Sequence, residues 1–144
     1  MYKEEVAESH LSKGLVVLFV ALALVMFNSR ESTHYDVTGI DAMQANALIT
    51  GGALVFDVRS KKAYDEEHIP GAISLPLDQL EAGVPSEYDA ATTGDIVVYC
   101  GDGVTTGPKA TALLNEAGFG NAVNLSPGLS GWKNAGYAVT SQKS

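Results

Sequence analysis

The chain carries a single thiol, Cys100, and its setting is chemical. It follows the β-prone run Ile96-Val97-Val98-Tyr99 and opens Gly101-Asp102-Gly103-Val104-Thr105, after which Thr106-Gly107-Pro108-Lys109 begins a new pattern. The thiolate is the nucleophilic form of cysteine and is favoured in positive potential. A helix N-terminus supplies such potential through its unpaired N–H groups. Gly101 and Gly103 leave the loop backbone bare, so the amides of Gly101, Asp102, Gly103, Val104, Thr105 and Thr106 can turn toward the sulfur or toward an anion bound beside it. The alternative role of a lone cysteine is that of a small buried hydrophobe.

The flanking elements must place this sulfur. A short apolar run bounded by turn residues reads as a buried strand. Pro108 suits the first turn of a helix, and Thr106 can cap the free amides ahead of it. Ala110, Leu113, Leu114 and Ala117 then recur at helical spacing until Gly118. Cys100 is thus expected at a strand end, over a tight loop, facing a helix N-terminus.

Other residues have two roles open to them. Asp57 and Arg59 end the strand Ala53 to Asp57, whose rim should be shared with Cys100. Arg59 either shapes the site and steers an anionic donor, or pairs with Asp65, Glu66 or Glu67 and fastens the next helix. His68, before Ile69-Pro70-Gly71, is a proton donor or, more in keeping with a turn, orders the chain by a hydrogen bond. Trp132 reads as a packing anchor.

The loop after Cys100 resembles the active-site loop of the rhodanese family, whose members carry sulfur as a cysteine persulfide. Leu54-Val55-Phe56-Asp57-Val58-Arg59 is similar to the family strand ending in Asp-x-Arg. Tyr64 with Glu67-His68-Ile69-Pro70-Gly71-Ala72-Ile73 resembles its Tyr…Gly-His-Ile-Pro-Gly-Ala segment. Leu125-Ser126-Pro127-Gly128-Leu129-Ser130-Gly131-Trp132 resembles its Gly-Gly-x-x-x-Trp segment, with Pro127 where the first glycine is usual. The resemblance covers about Asp36 to Thr140. It implies a three-layer α/β fold, no metal or organic cofactor, and sulfur transfer from a small donor, thiosulfate or mercaptopyruvate-like, to a thiol or cyanide-like acceptor.

The loop departs from much of the family, in which basic residues often lie between the cysteine and the helix. Here there is none, and Asp102 adds a negative charge. Cys-Gly-x-Gly-Val-Thr is closer to the loop of mercaptopyruvate sulfurtransferases, with Asp102 in place of their usual Ser. Cysteine phosphatases of related fold need Arg at the sixth position after the cysteine, where Thr106 sits, so phosphate chemistry lacks its bidentate donor.

Composition narrows the rest. A length of 144 residues suits one domain and an appendage, and 46% hydrophobic residues can build a core. The net charge of −8 offers no basic stripe to phosphates and excludes nucleic acid as a partner. One cysteine forms no internal disulfide, and scattered His10, His34 and His68 make no zinc pattern.

Residues 1–13 are polar and mixed in charge. Residues 14–27 carry no polar side chain and span roughly 21 Å as a helix at about 1.5 Å per residue. Lys13 can snorkel and the flanks can extend the helix, so a short membrane span is expected, a signal anchor placing the domain on the extracytoplasmic (periplasmic) side. A cleaved signal peptide is opposed by Glu4, Glu5 and Glu8 and by the lack of an Ala-x-Ala site. A core helix is opposed by apolar character on every face. A cytoplasmic domain on the same anchor is the alternative orientation. Residues 28–35 read as a linker and 36–144 as the domain.

Within the domain, Thr38 is expected to cap a helix from Gly39 to about Ile49. Lys61 to Glu66 should form a short helix, Ala72 to Leu75 a strand and Leu77 to Leu80 a helical turn. Glu81 to Gly94 is a loose acidic connection, Ala122 to Leu125 a last strand and Ser130 to Asn134 a last helix. Strands alternating with helices imply a central parallel sheet, with ligands beyond the carboxyl ends of its strands. Two functions follow: a membrane-tethered sulfurtransferase using Cys100, or a non-catalytic interaction or thiol-sensing module on the same scaffold.

Overall fold

A computed structural model of the protein describes residues 16–17, 33–91 and 94–142. Residues Met1–His34 and Tyr35–Ser144 form separate units. The apolar helix expected over 14–27 lies outside the described residues, apart from Val16 and Val17, which are helical and exposed. Among the described residues no helix is long and apolar enough to cross a membrane.

The second unit alternates strand and helix. Its elements are β1 (Gly39–Ile40), α1 (Ala42–Thr50), β2 (Leu54–Asp57), α2 (Lys61–Glu66), β3 (Ile73–Ser74), α3 (Leu77–Ala82), a 3-10 segment (Ser86–Ala91), β4 (Ile96–Tyr99), α4 (Thr106–Glu116), β5 (Ala122–Leu125) and α5 (Gly128–Asn134). The strands make one sheet in the order β1-β5-β4-β2-β3, with every pair parallel. The central β4 is buried along its whole length, as its unbroken apolar run requires.

Strand alternation divides the core into two layers. Val55, Val97, Tyr99 and Leu125 pack with Ala42 and Ala45 of α1, Tyr64 of α2, and Leu129 and Trp132 of α5. Phe56, Val58, Ile96, Val98 and Cys100 pack with Leu80 of α3 and Ala110 and Leu114 of α4. Helices on both faces of a parallel sheet give the expected three-layer α/β architecture.

The helix expected from Gly39 under a Thr38 cap instead begins at Ala42. Asp41 caps it: Gln44 N–H donates to Asp41 Oδ1 at 2.8 Å, and Asp41 N–H donates to Gln44 Oε1 at 3.0 Å. This reciprocal box frees Gly39–Ile40 to pair with β5 as an edge strand. Other boundaries move by a few residues. The strand expected from Ala53 begins at Leu54, that expected over Ala72 to Leu75 keeps only Ile73–Ser74, and α3 runs on to Ala82. The acidic connection contains the 3-10 segment, and the last helix starts at Gly128.

Candidate active site

Cys100 lies one residue beyond β4, on the layer that faces α4, and is 1% exposed. Gly103 N–H donates to its Sγ at 3.1 Å. Sγ also stands 3.4 Å from Asp102 Oδ1, to which the thiol can donate, and 4.0 Å from Thr105 Oγ1. One loop amide, that of Gly103, thus turns to the sulfur, while those of Val104 and Thr105 turn to Asp102.

Local geometry explains the glycines. Gly103 has φ +77°, and a Cβ there would fall 1.7 Å from the carbonyl oxygen of Ser126, so both conformation and space demand glycine. Gly107, in the first turn of α4, brings its bare Cα against the site. A Cβ there would lie 2.4 Å from Asn124 Oδ1 and 3.2 Å from Sγ.

The loop is bolted to the C-terminal part of the domain. Leu129 N–H donates to Cys100 O at 2.9 Å and Ser130 N–H to Gly101 O at 3.1 Å. Asn124, buried on β5, donates through Nδ2 to Gly103 O at 2.8 Å. Its Oδ1 is buried and has no partner. Asn124 was not singled out from the sequence. Its signal was a lone amide inside an otherwise apolar strand, where Asn is disfavoured unless it bonds something.

Asp102 is the electrostatic centre of the loop. Its Oδ1 accepts from Val104 N–H at 2.9 Å, Thr105 N–H at 3.1 Å and the Thr105 hydroxyl at 3.0 Å. The Val104 amide foremost, with the Thr105 amide and hydroxyl, pulls the carboxyl down to about 2 against the opposing effect of desolvation. Thr105, not Thr106, occupies the N-cap of α4 and makes no side-chain cap there. Thr106 is the first helical residue. Lys109, the cation closest in sequence, is ion-paired with Glu81.

Arg59 stands apart from this group. It shares the rim but follows the register of Asp57, which pairs with Tyr99, and that register is the face opposite Cys100. Its Nη2 donates to Asp57 Oδ2 at 2.6 Å and to Glu67 O at 2.6 Å, and its Nε to Asp57 Oδ1 at 3.0 Å. The guanidinium lies over the Tyr99 ring, 5.7 Å from its centroid. Its carboxylate partner is thus the fully buried Asp57 rather than Asp65, Glu66 or Glu67. These contacts hold the α2–β3 connection, and none of them goes to the 101–106 loop. Burial foremost, then the Asp57 charge, pushes the Tyr99 phenol far up, so it stays neutral and accepts from Ile69 N–H at 3.1 Å.

His68 is structural. Its Nδ1 bonds Tyr64 O at 2.8 Å, its ring stacks on Tyr64 at 3.9 Å, and its backbone bridges Thr140. Trp132 packs in the core and donates through Nε1 to Ala138 O at 2.9 Å. Among the described residues no group of three or more His, Cys, Asp or Glu side chains is placed to hold a metal.

Known proteins resemble this chain in sequence and fold. The protein YibN of Escherichia coli (strain K12) is 30% identical over 123 residues, covering 85% of this chain and 83% of that one. The thiosulfate sulfurtransferase PspE of the same strain is 33% identical over 72 residues, covering 47% of this chain and 64% of its own. The human single-domain sulfurtransferase TSTD1 superposes with a TM-score of 0.58 at 26% identity, covering 67% of this chain and 95% of its own. The family model for the rhodanese-like domain matches residues 41–135, and with a cysteine loop at the end of the central parallel strand this chain belongs to the rhodanese-like domain family.

Proposed function

We propose that the protein is a sulfurtransferase that carries sulfane sulfur on Cys100. The observation that supports this most is the Gly103 N–H aimed at Sγ at 3.1 Å in the loop between β4 and α4. The Cys100 thiolate attacks the outer sulfur of a donor such as thiosulfate. A new S–S bond forms, the old one breaks, and its electron pair leaves with sulfite, so Cys–S⁻ and S–SO3²⁻ become Cys–S–S⁻ and SO3²⁻. A thiolate acceptor then attacks the terminal sulfur and restores Cys–S⁻. The loop amides and the N-terminus of α4 hold the negative charge on the persulfide. Sulfurtransferases among the relatives support the same reading.

A second reading has its own observation. The loop holds no cation, and a carboxylate already takes two of its amides. That suits a non-catalytic interaction or thiol-sensing module, or a donor other than thiosulfate. Mass spectrometry decides between catalysis and the module. After incubation with a panel of donors, Cys100 should gain about one sulfur (roughly +32 Da), and Cys100→Ser should gain none and pass no sulfur on. Failure to gain sulfur from every donor would favour the module.

Residues 14–27 are proposed to tether the domain at a membrane, with the domain extracytoplasmic and the cytoplasmic face as the alternative. Lys3 and Lys13 precede the run and Arg30 follows it, a slight positive-inside bias. Protease added to spheroplasts should digest the domain; full protection would reverse the orientation, and recovery of the intact chain in the soluble fraction would remove the tether.

A further inference from the structure

The cysteine loop is held from beneath as well as by Asp102. Gly103 is pressed against Ser126, and its carbonyl is held at 2.8 Å by Nδ2 of Asn124, which is 3% exposed. The carbonyl of Gly103 and the N–H of Val104 belong to one trans peptide and point in opposite directions. With the carbonyl pinned inward on a buried amide, the Val104 N–H faces away from the sheet by construction. That N–H, the Thr105 N–H and the Thr105 hydroxyl converge on one point, each within 3.1 Å of it. Converging donors of this kind form an anion-binding concavity. The chain fills it with its own Asp102 Oδ1, which also stands 3.4 Å from Sγ.

We infer that Asp102 is a built-in occupant of a preformed anion cradle and sets the charge of the donor: it disfavours sulfur donors that bear a negative group next to the transferred sulfur and admits donors uncharged there. Its biological meaning rests on the sulfur-transfer reading, but the cradle itself does not. An anionic reagent that reaches the Val104 and Thr105 amides must displace Asp102 and break its three hydrogen bonds there. An uncharged reagent needs none of those amides. Occupancy is a stronger claim than like-charge repulsion, because a neutral side chain that keeps the acceptor oxygen would still fill the cradle.

Alkylation of Cys100 separates the two. Iodoacetate and iodoacetamide are close in size and share a leaving group, so the ratio of their rates cancels the thiol's own reactivity and access. The full chain is compared with Asp102→Asn, which loses the charge and keeps the acceptor, and with Asp102→Ala, which loses both. The iodoacetate-to-iodoacetamide ratio should rise in Asp102→Asn and rise several-fold further in Asp102→Ala. Equal ratios in Asn and Ala, or no rise in Ala, would overturn the inference. Asp102→Ser serves in place of Ala if thermal melting shows that Ala does not fold. The ratio requires no sulfur transfer. Absence of a persulfide in every variant would therefore defeat the sulfur-transfer reading while the ratio still decided the cradle.

Discussion

Replacing Gly107 by Ala tests how tightly the first turn of α4 closes on the site. By helix propensity alone the change stabilises, by up to about 1 kcal/mol and less near a helix end. The new Cβ, however, would lie 2.4 Å from Asn124 Oδ1 and 3.2 Å from Cys100 Sγ. The amide of Asn124 must swing away and give up its 2.8 Å bond to Gly103 O. Leaving that buried pair unsatisfied costs about 1–3 kcal/mol, and the crowding itself costs a similar amount, about 1–3 kcal/mol. Against a gain of under about 1 kcal/mol, the net effect should be a loss of about 2 kcal/mol. The obstruction is one side chain, so it can be removed. In an Asn124→Ala background, Gly107→Ala should be neutral or slightly stabilising, giving a coupling of about 2 kcal/mol between the two positions. Urea unfolding of the four proteins, followed by circular dichroism, measures it. An equal loss in both backgrounds would refute the reasoning, because the strain would then lie in the backbone or at the sulfur rather than in Asn124.

Two further outcomes are expected. Arg59→Ala leaves the fully buried Asp57 carboxylate without its partner and should cost about 3–5 kcal/mol in urea unfolding. Iodoacetamide should still alkylate Cys100 at the wild-type rate in the folded variant, and a large change there would place Arg59 in the site. Asp102, held down to about 2, stabilises the fold above the ordinary carboxylate range, and that contribution is lost as pH falls through the lowered value. The urea midpoint of the wild type should therefore exceed that of Asp102→Asn by a constant margin above about pH 5, and the margin should vanish toward about pH 2. A margin that persists at the lowest pH would contradict the amide bonds to this carboxylate.

What the sequence disclosed follows from where its signals are local. The unbroken apolar run of β4, the turn residues around α2 and the spacing of Ala110, Leu113 and Leu114 are short-range patterns, and they fixed the strand, loop and helix around Cys100. A two-residue edge strand has no periodicity, so Gly39–Ile40 reads as helix in the sequence, whereas the Asp41–Gln44 box starts α1 at Ala42. The roles of Arg59 and Asn124 are tertiary. Arg59 reads as a site residue while only its rim is known. Pairing of Asp57 with Tyr99 turns it to the other face. Asn124 meets Gly103 across 21 residues, a contact no local pattern announces. The glycines announce a loop of bare amides, but only the fold sets those of Val104 and Thr105 on Asp102 and that of Gly103 on the sulfur.

The sheet order also bears on how the chain is made. The strand β5 lies between β1 and β4, and the carbonyls of Cys100 and Gly101 are held by the amides that open α5. A ribosome releases residues 96–107 before either of these supports has emerged. For that interval Gly103 lacks Asn124 and Ser126, Cys100 O lacks the Leu129 amide, and β1 has no neighbour in the sheet. Closure of the sheet and fastening of the loop backbone thus both wait for the strand and helix that follow residue 121. A chain stalled before residue 122 would carry the cysteine loop without the Asn124 bond to Gly103 O or the α5 amides on Cys100 O and Gly101 O.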